Sequence, residues 1–120
     1  MTRTIFSGLQ ILHQDKWLTG YALVVEEKKI HSIIPSEMVA HHLPAKEYHF
    51  PDHHYLIPGL IDLHIHGVAG CDVMDGSEEA LVTISHALAK EGVSGFLATT
   101  MSVENEQLEA VLKTISSLGA

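Results

Sequence analysis

The sequence is short of cations and of cysteine. Seven Lys and Arg face 15 Asp and Glu, for a formal net charge of -8. A nucleic-acid binder needs a basic face to neutralise phosphates, so this balance excludes nucleic acid as the principal partner. A phosphorylated small molecule is still allowed, because one local patch can oppose the net charge. The one cysteine, Cys71, can form no intramolecular disulfide, which fits a reducing cytoplasm. No apolar run approaches the roughly 20 residues of a membrane span, so no membrane partner is expected. No basic stretch leads into an apolar run near Met1, so no secretory signal is expected.

What is present is an ordinary globular balance. The 120 residues are 46% hydrophobic and 18% charged, enough for one domain or part of one. Histidine is abundant, with ten residues, so each has to be weighed as a candidate ligand. His41-His42 and His53-His54 lie in polar, Pro-flanked stretches and read as solvated loop residues.

The first half reads as short strands. Thr4 to Leu12 alternates loosely, with Ile5, Leu9 and Ile11 apolar. Gly20 punctuates a turn into Tyr21–Glu26, and the polar Glu27-Lys28-Lys29 leads into Ile30–Ile34, a hairpin pattern. Ser36 to His42 suits one or two helical turns, and Lys46 to Phe50 a further strand.

The pattern changes at Pro58-Gly59, which sets a boundary between a β-rich portion, 1–57, and an alternating portion, 58–120. Leu60 to His66 reads as a buried strand, and Gly67 to Gly76 as a loop. Ser77 to Glu91 reads as a helix with Leu81, Ile84 and Leu88 on one face. Asp75, with Glu78 three residues on, is the expected cap, and Gly92 the expected stop. Val93 to Thr99 reads as the next strand. Ser102 then caps a helix with the stripe Leu108, Val111, Leu112, Ile115 and Leu118, ended by Gly119. A β-α-β-α run implies α/β class with a parallel sheet, either barrel or doubly wound.

His64-Ile65-His66 carries the chemistry. Side chains two apart on a strand point to the same side, so both imidazoles can converge on one point. Paired imidazoles at a rigid strand end suit Zn, Fe or a similar divalent metal. Asp62 falls on the same side and is a candidate to orient a ligand. Taken alone, the pair reads more readily as two partly exposed histidines satisfied by water, and the surrounding sequence is what turns the reading toward a metal. Two ligands also leave a catalytic site incomplete, since zinc usually takes three from protein.

The run Pro58-Gly59-Leu60-Ile61-Asp62-Leu63-His64-Ile65-His66-Gly67 resembles the first-strand signature of the amidohydrolase superfamily. His66 to Asp75 and Glu91 to Thr100 are similar to the N-acetylglucosamine-6-phosphate deacetylase branch of it. The resemblance implies an N-terminal β-sandwich portion followed by the opening β-α units of a (β/α)8 barrel. It implies His64 and His66 as metal ligands, one or two divalent ions, and hydrolysis of an amino-sugar phosphate in a cytoplasmic homo-oligomer, a dimer. Gly67 and Gly70 are candidates to bring backbone N–H groups to a substrate, or equally to make a simple tight loop. Asp72 is a candidate to touch substrate or metal, and Thr99 and Thr100, at a strand end, are candidates to support the ligands or ordinary strand threonines. The family's catalytic aspartate, bridging glutamate and further histidines have no counterpart here. A barrel of this kind needs about 250 residues, so the chain is expected to be a truncated and, by itself, inactive part.

The remaining candidates have plainer readings. Cys71 has no basic neighbour to activate it and reads as a small loop residue. His86 shares helical spacing with Ile84 and Leu88 and reads as a helix histidine. Two other functional readings stay open: another amidohydrolase, dihydroorotase-like or a deaminase, and a non-catalytic piece whose open strand edge pairs with another chain.

Overall fold

The computed structural model describes residues 3–51 and 53–118. The chain forms two compact units, Met1–Pro58 and Gly59–Ala120. It is a mixed α/β chain in which strands predominate.

The first unit contains β1 (Arg3–Ser7), β2 (Gln10–His13), β3 (Lys16–Leu18), β4 (Tyr21–Glu26), β5 (Lys29–Pro35), β6 (Lys46–His49) and β7 (Tyr55–Leu56). A four-stranded sheet runs β5-β4-β1-β6 and a three-stranded sheet runs β3-β2-β7. The stretch expected as one strand from Thr4 to Leu12 is two strands in different sheets. The break is Gly8, at φ 77, where a Cβ would lie 2.2 Å from the Phe50 carbonyl oxygen. Only glycine suits both the backbone angle and the close approach.

Two hairpins turn on residue pairs with positive φ, Gln14-Asp15 (47 and 62) and Glu27-Lys28 (49 and 65). Two such residues make the mirror-image turn that matches strand twist. The Tyr21–Glu26 run is apolar at consecutive positions because both its faces are covered. Ala22 and Val24 join Ile5 on one face, with Val39 of the 3-10 segment Ser36–His42 packed against them. Leu23 joins Leu9 and Ile11 on the other, between the two sheets. His41 and His42 thus end a 3-10 segment rather than a loop.

Arg3 and Glu26 stand opposite each other where β1 pairs with β4. The guanidinium pairs with the carboxylate and also donates to the His42 carbonyl at 2.7 Å. The hydrogen bond from Arg3 holds the Glu26 carboxyl below the ordinary glutamate range; partial burial opposes it, and the Arg3 charge adds to it. A depressed carboxyl favours the folded state above its unfolded pKa, and that contribution disappears as pH falls through the folded value. Glu26→Gln should therefore lower the urea midpoint of the chain at pH 7, and the gap from the parent should close in strong acid. A gap that persists unchanged at pH 2 would contradict this.

The second unit contains β8 (Leu60–Ile65), β9 (Gly67–Val68), β10 (Cys71–Asp72), α1 (Glu78–Lys90), β11 (Val93–Ala98) and α2 (Asn105–Leu118). β8 and β11 pair in parallel, joined through α1. β9 and β10 form a small hairpin inside the stretch expected to be loop. Val73, Leu81, Ile84, Leu88 and Val111 form the core, and Ile65, Phe96 and Ile115 pack on it. No helix among the described residues is long and apolar enough to cross a membrane.

Three expectations need correction here. The cap of α1 is Ser77, whose hydroxyl accepts from the Ala80 amide at 3.2 Å. Asp75 is already used: its carboxylate accepts from the Asp72 amide while Asp72 accepts from Met74, a reciprocal cap on the 3-10 turn Val73–Asp75. Helix α2 starts at Asn105, three residues beyond Ser102, and Leu112 and Leu118 of its stripe are exposed. Gly119, expected to end it, lies outside the described residues. The β8 strand is not buried: Leu60, Ile61 and Leu63 are 55%, 66% and 71% exposed. Its one sheet neighbour is β11, and α1 and α2 cover the position of Ile65 alone. Gly92, at φ 81, does follow the end of α1.

Ile84 is wholly buried at the centre of this core. Ile84→Ala should cost about 2–5 kcal/mol by the usual large-to-small penalty. Urea unfolding followed by circular dichroism measures it, and a loss below about 1 kcal/mol would mean the site collapses around the gap.

Candidate metal centre

The site is built where β8 ends. Asp62 pairs with Phe96, and Ile65 with Ala98. Leu63 and His64 therefore lie opposite Leu97 alone, which makes a β-bulge on β8. A bulge takes an amide out of the ladder. Here the His64 amide donates instead to Asp62 Oδ1 at 3.0 Å.

Beyond the bulge the two strands are tied again. The Thr99 amide donates to the Ile65 carbonyl at 2.9 Å. The His66 ring closes the same corner: its Nδ1 donates to the Thr99 carbonyl at 3.0 Å. The Val73 amide donates to the His66 carbonyl at 2.7 Å. These contacts aim both rings at one spot. The ring centroids are 5.0 Å apart, with planes at 78°. The two Nε2 atoms face each other at 3.2 Å. His64 is exposed and His66 half-buried, so the spot is open to solvent on one side.

The other candidate residues fall into three groups. Asp62 and Thr99 touch the pair, Asp62 through the His64 main chain and Thr99 through its own carbonyl. The Thr99 hydroxyl turns away and donates to the Leu97 carbonyl at 3.1 Å. Thr100 follows, half-buried. Gly67, Gly70 and Asp72 shape the β9–β10 hairpin. Ala69 and Gly70 have positive φ at its tip, and Asp72 starts the following 3-10 turn. Cys71 is half-buried at the margin of the α1–α2 core, which fits its reading as a small packed residue. Among the described residues no group of three His, Cys, Asp or Glu is placed to hold a metal. The Thr99 carbonyl was not legible in the sequence, because every residue has one.

Gly67 sits directly opposite Asp72 in the hairpin, and a Cβ there would lie 2.2 Å from the Cys71 carbonyl oxygen. Gly67→Ala should therefore destabilise the second unit by about 1–3 kcal/mol, as overpacking does, and shift the neighbouring His66 ring resonances. Unchanged stability and unchanged ring signals would show that the hairpin is not needed to support the pair.

In fold and sequence the chain is similar to amino-sugar-phosphate deacetylases. The chain is 35% identical over 92% of its length to N-acetylglucosamine-6-phosphate deacetylase of Vibrio furnissii, of which it spans 27%. It is 31% identical over 93% of its length to N-acetylgalactosamine-6-phosphate deacetylase of Escherichia coli O157:H7, of which it spans 28%. The crystal structure of N-acetylglucosamine-6-phosphate deacetylase from Pasteurella multocida superposes on 96% of the chain, with a TM-score of 0.88 and 26% identity. That match takes in 30% of the crystallised chain. No protein-family model matches the sequence. These relatives are N-acetylglucosamine- and N-acetylgalactosamine-6-phosphate deacetylases, and the chain spans about a quarter to a third of their length.

Proposed function

We propose that this chain supplies the first half of a divalent-metal centre in an amidohydrolase that deacetylates an N-acetylated amino-sugar 6-phosphate. The observation that carries the reading is the facing pair of imidazole nitrogens, His64 Nε2 and His66 Nε2, 3.2 Å apart. Two nitrogens bound to one zinc at about 2.0–2.1 Å and a tetrahedral angle stand about 3.3 Å from each other. The donor set therefore fits the group. The nitrogen type suits Zn, Fe or a similar ion, and one or two ions are compatible with it.

When bound, a divalent ion supplies two things to amide hydrolysis: acidification of a water and polarisation of the acetyl carbonyl. The chain's own residues do the holding and orienting. His64 and His66 offer their Nε2 atoms. Thr99 fixes one ring through its carbonyl, and Asp62 holds the backbone of the other. Further ligands and the catalytic acid–base come, in this reading, from polypeptide other than these residues.

Exposed apolar strand residues support a larger parallel barrel around the site. Ile61, Leu63 and Leu97 are 66%, 71% and 58% exposed on the two paired strands. Parallel strands are found covered on both faces, so such residues call for further layers. The substrate follows that of the relatives, with N-acetylglucosamine 6-phosphate favoured by the Vibrio furnissii match and N-acetylgalactosamine 6-phosphate by the Escherichia coli one.

In the complete enzyme, His64→Ala combined with His66→Ala should remove most bound divalent metal and lower acetate release by at least 100-fold, on the order expected when a catalytic metal loses its ligands. Metal analysis and an acetate assay with both sugar phosphates measure this. Full metal content in the double variant would sink the assignment. Turnover of a cyclic amide without acetate release would transfer it to another amidohydrolase.

A further inference from the structure

The two histidines are held in different ways, and the difference assigns a job to Asp62. His66 has its ring tied: Nδ1 donates to a carbonyl, which can only accept, so that nitrogen carries the proton and Nε2 carries the lone pair in the neutral ring. The His64 ring has no such tie; among the described residues its recorded ring partner is His66 itself. What holds His64 is its main chain. The bulge at Leu63-His64 leaves the His64 amide without a partner on β11, and Asp62 Oδ1 accepts it at 3.0 Å.

The bulge is also what needs holding. In a regular strand, residues 62 and 65 would be matched by residues three apart on the neighbour; here Phe96 and Ala98 are two apart. Without the Asp62 carboxylate the extra residue leaves an exposed amide with solvent in place of a fixed acceptor. The ladder then gains by sliding back into regular register. One residue of slip carries a side chain to the other face of a sheet. His64 would leave His66, whose own ring would stay on Thr99.

We propose that Asp62 is a positioning residue: its carboxylate caps the amide orphaned by the bulge and so keeps the His64 ring facing His66 before any metal arrives. Asp62 reaches His64 through its main-chain amide. This rests on the metal-centre reading for its purpose but not for its geometry, which can be measured without metal.

The test uses the 120-residue chain with histidine rings and amides labelled with nitrogen-15. In the parent, the metal-free spectrum should show His66 protonated at Nδ1, a protected His64 amide, and ring-to-ring contacts between His64 and His66. Asp62→Ala should lose the protection of the His64 amide and the ring contacts, while the Thr99 amide, bonded to Ile65, stays protected. Asp62→Asn keeps an oxygen that can accept and should restore both. Zn2+ titration followed at the two rings should show affinity about 10–100-fold weaker in Asp62→Ala, the usual cost of losing an outer-shell partner, and near-parent affinity in Asp62→Asn. An Asp62→Ala chain with intact ring contacts and a protected His64 amide would overturn the proposal. So would an Asp62→Asn chain that fails as Asp62→Ala does. Parent rings that are paired as described but do not respond to Zn2+ would overturn the metal reading and leave the role of Asp62 in positioning established.

Discussion

Of the two breaks in register between β8 and β11, the second, at Leu63-His64, is the constraint on which the site depends. A regular parallel ladder would run straight past residues 63 and 64. Instead, two residues on β8 face one on β11, and the ladder resumes only at Ile65. Bulges re-aim side chains and end pairing at functional places. This one does both. It frees an amide, which Asp62 takes, and it brings the chain to the point where the Thr99 carbonyl meets a ring and not an amide. The two Nε2 atoms end 3.2 Å apart as a consequence of main-chain bookkeeping on neighbouring strands.

That arrangement separates what is rigid from what is open. The α1–α2 core anchors one face of β8 and β11 through Ile65 and Phe96, with Ile84 wholly buried beneath them. Other apolar residues of the same strands, Leu60, Ile61, Leu63 and Leu97, remain exposed. The histidine pair is therefore held by contacts local to one corner: a bulge, a hairpin closed at Gly67, and the amides of Val73 and Thr99. Dispersed packing of the kind that fixes a fully covered strand contributes little at Leu63. Local hydrogen bonds take on that role, and each is correspondingly worth more to the geometry.

Much of this was legible in the sequence, and the parts that were not share a cause. The hairpin from Tyr21 to Ile34, the 3-10 segment from Ser36, the helix closed at Gly92 and the strand carrying His64 all rest on periodicity or on punctuation by glycine and polar residues. Those signals act over a few neighbours, so a single sequence displays them. The split of Thr4–Leu12 depends on Gly8 meeting the Phe50 carbonyl, a contact more than forty positions away. The cap of α1 went to Ser77 because Asp75 had been taken by Asp72, a competition that turns on a 3-10 turn the sequence does not announce. Burial of β8 was misjudged because apolar residues report what a strand is built to face, whereas exposure depends on which neighbours are present. The two imidazoles were readable as a pair because alternation along a strand reaching residue 66 would put both on one side; in the structure β8 stops at Ile65, and His66 meets its partner from the bend that follows. The bulge that adjusts them leaves no mark on residue type.

Similarity to deacetylases and the local geometry are independent supports for one reading, and they bear on different parts of it. The likeness to the Vibrio furnissii and Pasteurella multocida proteins extends over nearly the whole chain but only a quarter to a third of theirs. It therefore speaks to descent and to backbone course. It does not speak to whether these particular rings converge. Convergence is a property of this chain's own corner, where a carbonyl acceptor dictates the proton position on His66 and leaves Nε2 free to bind. Two separate local contacts, a ring tied to main chain and a capped bulge, meet at one 3.2 Å gap, and that geometry is what supports the proposed metal site beyond likeness alone.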